Sequence, residues 1–588
     1  MRLIVLFWFT VFSFLHVASP SLLHAAEERQ ENDVRHQIVE EQLKGSLVRL
    51  ERSAGSVSPA RSVIVGQMQR FYSSLEYNVA WANRKAIARL IEVIQESAED
   101  GLNPSDYHLE EIRSLYENLP TSPALQVRAD LLMTDGLFTL LSHMRAGKVV
   151  PKSLDPNWNL PLSGPAENSD AMLRSAVIDA KFPELIDSLR PSTPAYRLLR
   201  QGLAKYREIA AAGGWTPVPS GPKIGDIGQT DDRMPIIRKR LAVTGDLIED
   251  GLTISPRSIS PDTAAADSTL ARKQEFIYTP ELFEAVKAFQ RRHGLEVDGI
   301  IGTETAGAMA VPVQEWIDQI RINLERYRWY SGKLGKTYVM VNIPAFSVEL
   351  VRDGYILWKS RVIVGKPNLQ TPVFKAQIKS VIFNPRWVIP SGILAKEALP
   401  AIKKNINYLS KHRLTVVNSA GKPVDPSTVN WSAYHGRGFP YRLVQASGDA
   451  GALGRIKFNM PNRFTVYMHD TPTKPLFERS YRAFSHGCVR VDNPNELGVA
   501  LFDDPVKWNL PDIEQAINTG KTYAVRLPEK IPVYFLYQTA FPDDSNIAFR
   551  YDLYDRDSRL LKALDSSKER SIVDKALRPV TPPVVLKP

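Results

Sequence analysis

One cysteine, Cys488, stands in a chain of 588 residues, and this excludes every fold that depends on an intramolecular disulfide or a Cys-rich zinc site. Each domain must therefore be held by its own apolar core. Hydrophobic residues at 44% and charged residues at 23% are sufficient for that, and they argue against wholesale disorder or a polytopic membrane protein. The length exceeds what a single core supports, so several domains are expected. Lys and Arg number 74 against 64 Asp and Glu, a net charge of +10. This mild excess suits an acidic polymer surface and does not by itself point to nucleic acid.

The N-terminus bears on the compartment. After Met1 and Arg2 the run from Leu3 to Val17 is apolar except for Thr10, Ser13 and His16, and the small residues Ala25 and Ala26 precede Glu27. Residues 1–26 read as a secretory signal peptide. The other reading is an uncleaved anchor; against it, the apolar run is shorter than the ~20 residues of a membrane span, and against cleavage, His24 fits poorly three residues before a cut at Ala26. No later segment is long and apolar enough to span a bilayer. The mature protein is thus expected outside the cytoplasm, where a free thiol calls for an explanation.

The chain reads as a multidomain α+β protein. Over 27–215 the signals are helical: Ile87, Leu90, Ile91, Ile94 and Ala98 follow one helical face and stop at Gly101, and Leu137, Leu140, Leu141 and Met144 line a second helix ending at Gly147. These stripes predict core and carry no chemistry. The Pro- and Gly-bearing stretch from Gly213 to Gly228 reads as a linker, placed at 216–231. A small helical module follows at 232–312, where Thr279 and Pro280 form a cap and first turn for Leu282, Val286 and Phe289, and Thr303 is expected to cap a further short helix. Strand-like alternation then marks Val339–Ile343, Ser347–Val351, Ile356–Val364 and Phe374–Phe383, with Gly354 and Gly365 at turns. This begins a mostly β domain at 336–527. It is interrupted at about 391–443 by a helical and irregular insertion, a lid over the sheet. Strands resume at Thr465–Met468, and AspAsnPro at 492–494 predicts a capped helix carrying Leu497, Ala500 and Leu501. Residues 528–588 form a C-terminal extension whose Pro-rich end, from Arg578, is expected to be extended and mobile.

The chemistry concentrates around the lone cysteine. It lies in SerHisGlyCysValArg at 485–490, and TyrMetHisAsp at 467–470 places His469 19 residues upstream. A thiol and an imidazole at two strand ends can meet across adjacent strands. A free thiol of pKa ~8.5 is only a few per cent thiolate at neutral pH, so a catalytic cysteine needs a base or a positive neighbour. His469 can be the base, while His486 and Arg490 add positive potential. Gly487 lets the backbone approach closely, so the amides of Gly487 and Cys488 are candidate oxyanion donors. Other readings stand beside this one. A lone cysteine is most often a small buried hydrophobe; His469, His486 and Cys488 could hold a metal, although no carboxylate at a standard spacing completes the set; Arg490 could be a surface ion-pair partner.

Two resemblances extend the reading. EAVKAFQRRHGLEVDGIIGTETAGAM at 284–309 resembles the peptidoglycan-binding module of bacterial cell-wall enzymes, with a looser start near Ile236–Gly245. From about Tyr338 to Arg526 the chain resembles the catalytic (YkuD-like) domain of the L,D-transpeptidases, whose signature is a histidine followed by SerHisGlyCys and an arginine. LGRIKFNMPNRFTVYMHDTPTKPLF at 453–477, RAFSHGCVRV at 482–491 and IPVYFLYQTAFPDDSNIAFRYDLYDRD at 531–557 are similar to the large members of that family. Those members also have a helical N-terminal scaffold, the wall-binding module and an inserted cap. Where the family has Asn shortly before LeuGlyArg, this chain has AlaGlyAla at 450–452.

The resemblance implies a periplasmic, cell-wall-associated enzyme without cofactor or metal, acting on peptidoglycan. Cys488 would attack the third residue of a tetrapeptide donor stem, expel the terminal D-alanine and pass the acyl group to the side-chain amine of a neighbouring stem, giving a 3-3 cross-link. His469 would take the thiol proton, oriented by the backbone carbonyl of Asp470, with Gly487, His486, Arg490 and Tyr467 around the oxyanion and substrate. Carbapenem-type inhibitors would acylate the same thiol. An L,D-carboxypeptidase using water as acceptor, and a catalytically silent wall-binding scaffold, are the alternatives.

Overall fold

The computed structural model describes residues 20–578 apart from 56–57, 119–121, 161–169, 249–274, 437 and 544–545. The run Leu3–Val17 of the expected signal peptide and the Pro-rich tail at 579–588 lie outside the described residues. Among the described residues no helix is long and apolar enough to cross a membrane.

Four helices begin with the same two-residue device. Ser58, Ser122, Thr193 and Thr279 each accept a bond on the side-chain oxygen from the amide three residues on, and the proline that follows each opens the first turn of Pro59–Ser74, Pro123–Ala146, Pro194–Ala211 and Pro280–His293. The hydroxyl satisfies an otherwise orphan donor, and the proline has no amide to leave unsatisfied. Pro123–Ala146 is buried on all sides from Ala129 to Met144 and forms the axis of the helical region. Its inward polar groups are paired. Asp130 accepts from the Tyr72 hydroxyl at 2.6 Å and from the Ala80 and Trp81 amides, and Asp135 faces Arg61 and His108.

The small module packs Met234–Thr244, Pro280–His293 and Thr303–Ala310 around Ile237, Leu241, Val286, Phe289 and Met309. Gln290 clamps its second turn, donating to Asp298 Oδ1 at 2.8 Å and accepting from the Asp298 and Gly299 amides. Two expectations change here. The stretch read as a linker buries Val218 and Ile224 in this core, and Ile224 bridges Ile301, because its prolines and glycines shape turns over an apolar floor. Thr303 is the first residue of its helix rather than the cap, which is Gly302.

The strands are β1 (Trp158–Asn159), β2 (Thr337–Asn342), β3 (Ser347–Arg352), β4 (Tyr355–Gly365), β5 (Val373–Phe383), β6 (Trp387–Val388), β7 (Leu414–Val417) and β8 (Arg442–Gln445). They continue as β9 (Ile456–Asn459), β10 (Met468–His469), β11 (Ala483–Ser485), β12 (Val489–Val491), β13 (Tyr523–Leu536), β14 (Ala540–Asp543) and β15 (Asn546–Phe549). The main sheet runs β1-β5-β13-β2-β3-β4-β12-β10-β9, with β11 on β4. Because β9 also pairs with β5, it closes on itself. The first strand comes from the helical region: Trp158 pairs with Val373 on β5. β13 pairs with β2 on one side and β5 on the other. The expected boundary at 527 therefore falls inside a central strand, whose residues Val533, Phe535 and Leu536 are wholly buried.

The insertion is a folded unit with its own core of Leu394, Ala398, Leu399, Ile402, Val416 and Leu443. Its sheet, β6-β8-β7, reaches beyond 391–443 at both ends. The strand expected at Thr465–Met468 is shorter and shifted: Thr465 has φ +55° and the strand is Met468–His469. The helix after the active loop starts at Pro494, and Asn493 in front of it makes no side-chain cap bond.

One long helix, Val313–Tyr330, lies where no element was assigned. Glu325 accepts from the Val149 amide at 2.7 Å and pairs with Arg328 at 2.6 Å, Arg326 reaches Asp557 at 2.6 Å, and Asn323 donates to Thr539 at 2.9 Å. It ties the helical region to the C-terminal segment. Within the described residues the helix Lys568–Ala576 of that segment returns to Pro20–Ala54, where Arg49 donates to the Ala576 carbonyl at 3.2 Å.

Candidate active site

Three short strands position the reactive groups. β9 and β10 pair antiparallel with Lys457 opposite His469, and β10 and β12 pair parallel with His469 opposite Arg490. Residues opposite one another in a sheet share a face, so these three side chains form a row. Tyr467 and Cys488 stand two residues before His469 and Arg490 and fall on the same face, their backbones joined by the Val489 amide donating to the Tyr467 carbonyl at 3.0 Å. Ile456, Phe458, Met468, Val489 and Val491 alternate to the other face and are wholly buried.

The cysteine sits on a turn closed by its own neighbours. Ser485 Oγ accepts from the Gly487 amide at 3.0 Å and donates to the Cys488 carbonyl at 2.5 Å, while Thr371 Oγ1 donates to the Gly487 carbonyl at 2.9 Å. Gly487 takes φ +107°, a conformation that strains residues with a Cβ. The Gly487 amide, expected as an oxyanion donor, is thus already engaged by Ser485, which leaves the Cys488 amide as the candidate. The thiol is half-buried and lies 3.8 Å from the Thr465 carbonyl. Burial pushes it above the ordinary thiol value, opposed by bonds from the Tyr467 amide and hydroxyl and by the positive charges of Lys457 and Arg490.

His469 is 5% exposed, and its Nδ1–H donates to the Asp470 carbonyl at 2.5 Å. This bond defines the neutral tautomer with the lone pair on Nε2. Burial, then the charge of Arg490, holds the imidazole down at about 3, against the pull of the Asp470 and Leu453 carbonyls. The resting pair is therefore a thiol and a neutral imidazole, not an ion pair. Asp470 is fixed in turn: its carboxylate accepts from the Arg455 amide at 2.8 Å and from Lys474 at 2.6 Å. Gly454 is required below it, because its φ is +58° and a Cβ there would come within 2.3 Å of the carboxylate.

His486 does not face the thiol. Its Nε2 lies 2.7 Å from Glu397 of the insertion, so the ligand atoms of His469, His486 and Cys488 are not within reach of a common ion. Among the described residues His108, Glu111 and Asp574 come that close, but both His108 nitrogens already face carboxylates, Asp135 at 3.0 Å and Asp574 at 3.1 Å. Arg490, a possible surface ion-pair partner by sequence, is half-buried and has no ion-pair partner among the described residues. Residues that the sequence did not single out complete the surroundings. They are Lys457 with its ammonium 3.9 Å from the Tyr467 ring centroid, Thr371, Ser485, and Trp387 of the insertion, which hydrogen-bonds the Tyr467 hydroxyl. Lys457 carried a signal, as a charged residue inside the alternating run IleLysPheAsn; the others did not.

Comparison with known proteins agrees with this geometry. Residues 336–501 match the family described as the L,D-transpeptidase catalytic domain, residues 272–309 the "Putative peptidoglycan binding domain" and residues 66–203 the "Scaffold domain". A "Putative L,D-transpeptidase" of Haemophilus influenzae is 36% identical over 222 residues, 38% of this chain and 45% of the relative, so the chain aligns with less than half the length of that protein. Two solved structures share local likeness at a TM-score of 0.17, too low to carry weight. They are the "Ldtfm-avibactam carbamoyl enzyme" at 12% identity over 34% of this chain and 49% of that one, and an L,D-transpeptidase from Mycobacterium smegmatis at 15% over 34% and 58%. The chain thus carries an L,D-transpeptidase catalytic domain, joined in one polypeptide to a scaffold domain and a peptidoglycan-binding domain.

Proposed function

We propose that the protein is a cysteine-dependent, periplasmic L,D-transpeptidase that forms 3-3 cross-links between peptidoglycan stems. The observation that carries this reading is the shared face of Cys488 and His469, with the imidazole held in its proton-accepting tautomer by the Asp470 carbonyl. Cys488 Sγ attacks the carbonyl of the third residue of a tetrapeptide stem. The S–C bond forms, the C–N bond to the terminal D-alanine breaks, and the thiol proton passes through His469 to the leaving amine. The amine of a neighbouring stem then attacks the thioester, the new C–N bond replaces C–S, and its proton returns through His469 to the sulfur.

Because both resting groups are neutral, proton transfer accompanies attack instead of preceding it. The Cys488 amide and the charges of Lys457 and Arg490 stand where negative charge develops. A thioester suits a slow, bulky acceptor, provided that water is kept out, which gives the insertion its role as a cover. Hydrolysis of the same thioester is the competing outcome. Incubation of the purified protein with tetrapeptide muropeptides, followed by mass spectrometry, tests the proposal. Dimers joined through third residues are expected; release of D-alanine with tripeptides alone would make the protein a carboxypeptidase, and no release would make it a silent scaffold.

A further inference from the structure

The row across β9, β10 and β12 holds two cations where the sequence drew attention to one. Lys457 and Arg490 flank His469 in register on either side. Both are half-buried, and neither has an ion-pair partner among the described residues. Taking an ammonium or guanidinium partly out of water without a counter-ion costs free energy, so the two charges are held there against a penalty. Other buried cations of this fold meet a carboxylate, as Arg326 with Asp557 and Arg328 with Glu325, or, like Arg240, lie against the face of an aromatic ring, Trp215. The Lys457 ammonium rests 3.9 Å from the centroid of the Tyr467 ring, and the carbonyl of the same tyrosine accepts from the amide of Val489, next to Cys488, at 3.0 Å. The ammonium therefore lies on the face of the sheet that carries the thiol and the imidazole. Burial lowers the pKa of Lys457, and the charge that raises it is that of Cys488; for Arg490 the balance is the same.

We infer that Lys457, with Arg490 beside it, binds the free α-carboxylate of the amino acid that the donor stem expels. The inference rests on the reading of Cys488 as the nucleophile toward peptide stems. A terminal residue carries its carboxylate one residue beyond the attacked carbonyl, and the Lys457 ammonium stands over the Tyr467 ring, on the strand between its own and the one that follows Cys488. A carboxylate there is the counter-ion that the row lacks. The arrangement selects donors that end one residue after the scissile bond, and it discriminates against longer stems and amidated ends. Lys457 is on this reading a substrate-binding group for the donor and has no part in acceptor choice.

The test compares two donors with the full-length protein: a tetrapeptide stem with a free terminal carboxylate, and the same stem ending in a carboxamide. In wild type the free acid is expected to acylate Cys488 with a kcat/KM about ten- to a hundredfold above the amide, the range for a desolvated charge pair. Lys457→Met should abolish most of that ratio by lowering the acid's kcat/KM far more than the amide's, and Lys457→Arg should restore part of it. In both variants an unchanged far-ultraviolet circular dichroism spectrum and thermal midpoint report that the protein is folded. An equal loss on both donors would leave Lys457 a thiolate-stabilising group only and overturn the inference while leaving the transpeptidase reading in place. Failure of the wild type to release an amino acid from either donor would overturn that reading, and the inference with it.

Discussion

His486 hydrogen-bonds Glu397 at 2.7 Å, so the residue two positions before the nucleophile is tied to the insertion and not to the thiol. This contact attaches the insertion to the active loop. Part-exposed ion pairs contribute about 0–1 kcal/mol, so the contact can be made and broken during turnover. Glu397→Ala and His486→Ala should each raise the ratio of hydrolysis to transfer by up to about fivefold, read from the products of a single acylated sample. The double variant should show no further increase, since both remove the same bond.

Removal of the nucleophile is the sharpest test of the site. Cys488→Ala should abolish cross-link formation while far-ultraviolet circular dichroism and sedimentation with purified sacculi stay at wild-type values. A carbapenem should add its mass to the peptide containing Cys488 in the wild type and to no peptide in the variant. A labelled serine would move the protein to another enzyme class.

The pH profile separates the two titrating groups. From sequence, acylation should rise through a histidine-like or a thiol-like ionisation. With His469 held at about 3, the base is already neutral throughout the range from pH 5 to 8, and no inflection near 6.5 is expected. The Cys488 thiol is pushed up, so thiolate accumulates, and acylation climbs, only on the alkaline side. His469→Ala should lose the neutral-pH rate and regain part of it as hydroxide forms the thiolate directly. Its loss should exceed that of His486→Ala.

The same histidine affects stability. Its folded value of about 3 lies below the ordinary 6.5, so between those values the unfolded chain binds a proton that the folded chain does not. This stabilisation is complete above pH 6.5 and is lost as pH falls towards 3, on the order of 5 kcal/mol over the full interval. Buried His143 and His293 are depressed in the same direction. The thermal midpoint should therefore fall from pH 7 to pH 4, and His469→Phe should flatten the curve only in part.

Deletion of the module gives a further check. Removing residues 232–311 should lower sedimentation with sacculi if the resemblance to wall-binding modules carries over. Unchanged sedimentation would leave the module a packing element.

Much of this was legible in the sequence because the signals were local. Alternation gave β2–β5 within a residue or two, the Thr279–Pro280 pair gave its helix, and SerHisGlyCys with the upstream histidine gave the reactive pair. The helix Val313–Tyr330 was not legible: its core-facing positions include Asn323, Glu325, Arg326 and Arg328, and buried ion pairs read as a solvated face until their partners at Val149, Thr539 and Asp557 are known. The linker reading failed for the opposite reason, since turn residues hid two core side chains. At the site, the engagement of the Gly487 amide and the orientation of His486 depend on Ser485 and Glu397, one of them 89 residues away.

The order in which this chain is made is not the order in which it can be assembled. β1 at Trp158 waits for β5, the Val373–Phe383 strand waits in turn for β13, and the first described helix is completed only by Lys568–Ala576 at the far end. A chain that threads through a membrane N-terminus first would hold its helical region with an unpaired strand, an open sheet edge and an uncovered apolar face until nearly the last residue had crossed. Contacts this distant make folding slow, and partly covered edges of this kind are where aggregation starts. A cut at residue 501, where the family match ends, would leave a sheet without its central strand.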